Sequence, residues 1–314
     1  MELPPALRQA VDAALEGISS GDLARASEAL SSRYRAEVRD GRAHLADDLT
    51  ARAYLAYRLP ATFAAVRAAV EAVVDVRPDF APRSLLDFGA GPGTALWAVR
   101  DAWQTLEAAR LIEASPAIRL WGERLAPLAG AVIAWSADLD DAQGADLVTL
   151  CYVLDELDDA TGAGLIERLW GLTEDTLLIV EPGTPAGWRR ILKARDHLLA
   201  ARAELVAPCP HARACPLTAP DWCHFSRRVS RSRVHLRTKG AEVPWEDEKF
   251  IYLAAARHPA AVTAARVLAP PRAGSGKVAL KLCRADGSSD TTLFTRRDGD
   301  AFKRARRADW GDAF

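Results

Sequence analysis

The sequence predicts an α/β protein with a Rossmann-like, largely parallel sheet, preceded by a helical lead-in and carrying a cysteine-rich, metal-binding insertion toward its C-terminal part. Three observations predict this. Apolar residues recur at helical spacing up to residue 80, and after Pro82 short apolar runs alternate with amphipathic stretches of helix length. The first of those runs closes on a glycine-rich turn. The expected division is a helical region over 1–80, a ligand-binding core over 81–208, a cysteine-rich and basic region with the final strands over 209–290, and a charged tail over 291–314.

In the lead-in, Leu7, Val11 and Leu15, and then Tyr54, Leu55, Leu59, Phe63, Val66, Val70 and Val74, advance by helical steps. Ser20-Gly21-Asp22 and Pro60 punctuate the pattern. Strands are expected over 84–88, 110–112, 131–135, 146–151 and 176–180, with helices between them and a longer helix over 185–205. Two further strand-like runs, 249–254 and 277–282, flank the loop Pro270-Pro271-Arg272-Ala273-Gly274-Ser275-Gly276. There is no internal repeat.

The first strand runs into Asp87-Phe88-Gly89-Ala90-Gly91-Pro92-Gly93, where glycines let the backbone approach a ligand at the carboxyl end of the strand. A glycine triplet alone is weak evidence. The second strand, however, ends in Glu113, placed to accept hydrogen bonds from both hydroxyls of a ribose, and Asp138 follows the third strand, in reach of an adenine amino group. The Gly-x-Gly-x-Gly spacing resembles motif I of class I methyltransferases. That resemblance implies S-adenosylmethionine as the ligand of Asp87, Gly89, Gly91, Gly93, Glu113 and Asp138; NAD or a degenerate empty site are the competing readings.

Beyond the fourth strand, Cys151-Tyr152-Val153-Leu154-Asp155-Glu156 occupies the edge where this fold places reacting groups, but the Asn/Asp-Pro-Pro-Tyr/Phe tetrapeptide of amine methyltransferases is absent. Cys151 reads as a packed strand-end thiol rather than a nucleophile. Asp155 and Glu156 read equally as bases or as a charge pair at a helix N-terminus. No catalytic residue is identified.

Cys209-Pro210-His211, Cys215-Pro216 and Trp222-Cys223-His224 lie close together in a proline-rich stretch, and Cys283 ends a strand-like run. Four thiolates from a loop and a strand end suit tetrahedral zinc or a four-iron cluster, and the spacing matches neither the zinc-ribbon nor the ferredoxin pattern. Ordinary buried thiols are the plainer alternative. His211 and His224 read as ligand neighbours or polyanion contacts more than as zinc ligands. The closely spaced three-cysteine motif of radical S-adenosylmethionine enzymes is absent.

Nearly the whole chain resembles the Rsm-type methyltransferase-like proteins associated with the small ribosomal subunit. The resemblance is carried by Tyr54-Leu55-Ala56-Tyr57-Arg58-Leu59-Pro60-Ala61-Thr62, the glycine turn, Glu181-Pro182-Gly183-Thr184-Pro185-Ala186-Gly187, Pro208-Cys209-Pro210-His211, Cys215-Pro216-Leu217, Asp221-Trp222-Cys223-His224-Phe225, Glu248-Lys249-Phe250-x-Tyr252 and Leu282-Cys283. It implies a [4Fe-4S] cluster, in preference to zinc, on Cys209, Cys215, Cys223 and Cys283. It also implies S-adenosylmethionine binding and a small-ribosomal-subunit partner with its rRNA.

The net charge of -1 conceals segregation: residues 1–180 carry -12 and residues 181–314 carry +11. Arg227, Arg228, Arg231, Arg233, Arg237 and Lys239 follow three of the cysteines with no acid among them, and their guanidinium forks suit phosphate oxygens. The tail adds Arg296, Arg297, Lys303, Arg304, Arg306 and Arg307, diluted by aspartates. The first stretch is the expected RNA contact, and neutralisation of the acidic part by the basic part is the alternative. No run approaches a membrane span, the start of the sequence lacks an export or transit pattern, and five cysteines fit a reducing compartment, so a cytoplasmic protein is expected. The leading functional expectation is a small-subunit assembly factor that binds S-adenosylmethionine, a cluster and rRNA. An active rRNA methyltransferase and an iron–sulfur redox sensor of translation are the alternatives.

Overall fold

Pro60 cannot donate the hydrogen bond that would continue the preceding helix, and the lead-in divides there. In the computed structural model, which describes residues 1–35, 45–232, 234–236, 242–260 and 265–314, the lead-in forms α1 (Pro5–Ala14), α2 (Ser20–Arg35), α3 (Asp48–Tyr57) and α4 (Leu59–Val76). Ser20-Gly21-Asp22 opens α2 rather than breaking a helix, with Ser19 Oγ accepting the Asp22 N–H. Asp47 and Thr50 form a capping box at α3. Phe63, Val66, Val70 and Val73 share one buried face of α4, which packs on α5 (Thr94–Ala102) and across β7 (Phe225–Ser230) and β8 (Trp245–Ala256). Among the described residues no helix is long and apolar enough to cross a membrane.

The main sheet has eight strands: β1 (Ser84–Phe88), β2 (Ala108–Ile112), β3 (Val132–Ser136), β4 (Ala145–Cys151), β5 (Thr173–Pro182), β6 (Glu204–Ala207), β7 and β8. Their order is β3-β2-β1-β4-β5-β8-β6, with β7 also on β8. The first five are parallel and β8 is antiparallel to β5, the mixed sheet of a class I methyltransferase-like fold. Helices α5, α6 (Pro116–Leu125), α7 (Asp159–Gly171) and α8 (Pro185–Ala200) supply the crossovers.

Two expectations shift. The long helix stops at Ala200, because Arg202 adopts a positive φ of 61°, and 204–207 is a strand. The basic stretch begins as β7, antiparallel to β8. β6 and β7 pair with different parts of the same edge of β8, so the chain between them, which holds Cys209, Cys215 and Cys223, is expelled from the sheet as a loop.

A second sheet follows, of β9 (Ala265–Val267), β10 (Arg272–Gly274), β11 (Lys277–Arg284) and β12 (Ser289–Thr295). Val278, Leu280 and Leu282 alternate onto one face of β11 and form a small core with Phe302 and Ala305 of the helix Asp300–Ala305. Strand β12 runs through residue 290, and the residues beyond it are folded against the sheet.

Candidate functional site

Strand order reverses between β1 and β4, and in an open α/β sheet the crevice at such a switch point receives the ligand. The glycine turn lies there. Gly89, Gly91 and Gly93 all have positive φ, at 69°, 54° and 81°. At Gly89 a Cβ would lie 2.3 Å from Val153 Cγ2, so the turn is shaped by the segment after β4 as well as by its own torsions.

Each acid expected there has a defined place. Asp87 is 1% exposed; its Oδ1 accepts the Thr149 hydroxyl at 2.7 Å, while Oδ2 has no partner among the described residues. Burial pushes its pKa up to about 7. Glu113 accepts the Gly91 N–H at 2.8 Å with Oε2 and the Ser115 N–H at 2.7 Å with Oε1. It therefore holds the glycine turn to the start of α6, a role the sequence did not suggest. Burial raises its pKa, and the two N–H groups oppose the rise. Asp138 is exposed beyond β3, and its Oδ1 caps the Asp140 N–H at 3.0 Å.

The lead-in closes on the same crevice. Ser115 Oγ donates to the Leu45 carbonyl at 2.6 Å, and Trp121 Nε1 donates to Asp48 Oδ1 at 2.9 Å. At the end of β4, Cys151 is buried and its thiol is raised far above its usual pKa by burial, which leaves it a packed thiol. Next to it, Tyr152 holds a φ of 59°, rare for a bulky side chain. Its hydroxyl donates to Glu248 Oε1 at 3.1 Å, and Arg58 Nη2 meets the same oxygen at 3.1 Å. Glu156, one residue beyond Asp155, is pushed up to about 7, first by burial and then by Asp155 and Glu113. Glu181, fully buried, accepts the Leu154 N–H at 3.0 Å and Arg190 Nε at 2.9 Å, tying the β4 turn to α8.

The four cysteines of the expected set meet at one place. Cys209, Cys215 and Cys223 from the expelled loop and Cys283 from β11 line one pocket beneath α8 and β8. Burial, followed by their mutual proximity, raises Cys223 and Cys283, the latter to about 12. Yet among the described residues no three His, Cys, Asp or Glu side chains are gathered closely enough to hold a metal ion. The expected metal-binding insertion is therefore not preassembled among the described residues, for zinc or for a cluster. Three N–H groups on the same walls, Trp188 Nε1, Arg195 Nε and Arg266 Nη2, have no partner among the described residues.

Residues 48–314 match the family model described as mitochondrial small ribosomal subunit Rsm22. The chain belongs to the Rsm22 family. It is 29% identical over 283 residues to the human mitochondrial ribosome assembly protein METTL17, covering 82% of this chain and 61% of that one. It is 23% identical over 320 residues to the mitochondrial Rsm22-cox11 tandem protein 2 of Schizosaccharomyces pombe, covering 83% of this chain and 42% of that one. The chain thus spans 61% and 42% of the length of these relatives, both mitochondrial by name, whereas the sequence suggested the cytoplasm. In shape it overlaps the magnesium protoporphyrin IX methyltransferase of Synechocystis PCC 6803 solved with bound SAH, at 13% identity, covering 73% of this chain and 94% of that one, with a TM-score of 0.42. Nothing further is drawn from that overlap.

Within this Rsm22 chain the basic stretch differs from expectation. Register places Arg227 opposite Glu248 and Arg228 opposite Asp247, and cross-strand pairs of opposite charge attract. Arg227 bonds Glu71 at 2.7 Å, Arg228 bonds Asp247 at 2.9 Å and Arg231 bonds Glu246 at 3.3 Å. These three are neutralised locally by α4 and β8. Arg233, Arg237 and Lys239 lie outside the described residues. His211 is buried with Nε2 3.5 Å from Cys283 Sγ, and His224, partly exposed, stacks on Trp222.

Sequence reading missed the roles of Arg58, Tyr152 and Glu248, although two of them stand in the segments that carry the family resemblance. It also missed Arg195, whose signal was present. Trp188, Ile191, Arg195 and Leu198 form one buried stripe of α8, and an arginine on an apolar stripe marks a buried polar demand.

Proposed function

We propose that this chain is an assembly factor of the small ribosomal subunit that docks on rRNA, binds S-adenosylmethionine at the glycine turn and holds a [4Fe-4S] cluster on Cys209, Cys215, Cys223 and Cys283. The observation that carries this is the convergence of those four cysteines, three from an expelled loop and one from a distant strand, on a single cavity in a member of the Rsm22 family. A relative named as a ribosome assembly protein supports the process.

The cavity fits the cluster on two counts. Four cysteines lining one cavity supply one thiolate for each iron of a polynuclear centre. The unpartnered donors of Trp188, Arg195 and Arg266 suit an anionic group rich in sulfur acceptors. Bound there, the cluster would supply a covalent clamp between the loop and β11, with redox chemistry available but not required. At the switch point, Asp87 Oδ2 and the three positive-φ glycines fit a ligand brought against the backbone. S-adenosylmethionine would supply an activated methyl group; Glu113 holds the turn, and Tyr54, between Thr94 and Glu113, borders it.

Anaerobically purified protein is expected to be brown and to contain iron and acid-labile sulfide in equal amounts, and Cys283→Ser to lose both. Colourless protein with one zinc per chain contradicts the cluster.

An active RNA methyltransferase is the second reading, favoured by Tyr152, held in a strained conformation at the end of β4 beside the glycine turn. Transfer of labelled methyl from S-adenosylmethionine to small-subunit RNA separates the two. No transfer at saturating ligand, with RNA binding retained, favours the assembly factor.

A further inference from the structure

We infer that the RNA-docking surface lies on the second sheet, at the β10–β11 hairpin and the adjoining end of β12, and not on β7; this rests on the RNA-docking reading above. The two basic regions differ in what faces them. The described β7 cations meet Glu71, Glu246 and Asp247 in ion pairs, so an incoming phosphate would have to displace a carboxylate.

On the second sheet the cations are unopposed. Arg272, Lys277, Arg296 and Arg297 are exposed, and none forms an ion pair among the described residues. The hairpin gathers them. Arg272 stands opposite Ala279, two residues from Lys277 on the same face of β11, and Lys277 stands opposite Thr295, the residue before Arg296. The Arg296 side chain lies over Gly276, where a Cβ would come 3.2 Å from its Nε.

The chemistry favours a polyphosphate backbone over an acidic protein. Three of these four cations are arginines, whose planar forks match phosphate oxygens, and the outer face of β12 beside Lys277 offers hydroxyls at Thr291 and Thr295. A protein interface needs a buried apolar centre, whereas the large apolar residue exposed on this face is Leu293 alone among the described residues. The segregation of positive charge toward the C-terminal part thus gains a location: its useful share sits on the second sheet.

The test measures binding of a small-subunit rRNA transcript by the full chain across salt concentrations. Arg272→Ala/Lys277→Ala/Arg296→Ala/Arg297→Ala is expected to weaken binding by about tenfold or more at physiological salt and to lower the log–log salt slope by roughly 2–4, because each phosphate contact contributes about 0.7–0.9. Arg227→Ala/Arg228→Ala/Arg231→Ala is expected to change affinity less than about threefold. A lysine-for-arginine version of the first variant, expected to keep most of the slope, and unchanged circular dichroism separate charge loss from misfolding. An unchanged slope in the first variant, with wild-type binding intact, overturns the location and leaves the RNA reading standing. Absence of RNA binding by the wild type overturns both. Loss of retention on immobilised polyglutamate with unchanged RNA affinity assigns the surface to an acidic protein and also overturns it.

Discussion

Glu113 Oε2 accepts the Gly91 N–H at 2.8 Å, joining the segments that follow β1 and β2. Its other oxygen holds Ser115, so both lone-pair directions of one carboxylate fix the turn to α6. Glu113→Gln puts an amide NH2 where one acceptor stood and sets it against a backbone donor. The expected result is roughly a tenfold loss of S-adenosylmethionine affinity, about 1.4 kcal/mol, read by calorimetric titration. Unchanged affinity would mean that the turn needs no such anchor.

Gly89→Ala tests the same turn sterically. The added methyl meets Val153 Cγ2 at 2.3 Å in a residue whose φ of 69° already disfavours a side chain. A loss of about 1–3 kcal/mol in urea unfolding, together with loss of S-adenosylmethionine binding, is expected. Wild-type stability and binding would show that the turn can relax away from β4.

The outline of the site was legible in the sequence because glycines, cysteines and strand-end acids have few other uses in such positions. The central parallel strands β1, β4 and β5 could be read from their apolar runs, since strands covered on both faces are largely apolar. β7 was not legible: its outward residues are arginines, and only pairing with the acids of β8 makes it a strand. For the same reason the basic stretch looked like free positive charge. Its neutralising acids, Glu71 and Glu246, are distant in sequence and adjacent only in the fold. Glu113 was placed correctly at the end of its strand, but which donor it would meet depended on how the turn folds back.

Asp87 sets a pH signature. Its folded pKa, about 7, lies above the ordinary carboxyl value of 3.8, so the folded state keeps a proton that the unfolded chain releases. Its contribution therefore falls as pH rises from about 4 to about 7 and is level above that. Asp87→Asn removes the dependence. Wild-type protein is expected to lose stability relative to the variant over that window, by at most about 4 kcal/mol, in parallel urea titrations at pH 4.5, 6 and 8. A constant difference would mean that the carboxylate finds a compensating partner.

Arg195 and Arg266 are each 2% exposed and face the cysteine cavity with unpartnered N–H groups. A cation and a donor beside a cluster favour its more negative, reduced form. Arg266→Gln is expected to retain iron and sulfide while its midpoint potential, followed by spectroelectrochemistry, moves downward. Retained cluster with an unmoved potential would confine the arginine to packing.

The central claim is that this Rsm22-family chain works on the small ribosomal subunit, with the cysteine centre ordering it for that task. Sedimentation of tagged full-length protein with purified small-subunit precursor particles tests it most directly. The wild type is predicted to travel with the particles, and Cys283→Ser to remain at the top of the gradient while still folded by circular dichroism. Wild-type protein that stays at the top in the presence of excess particles would contradict the account.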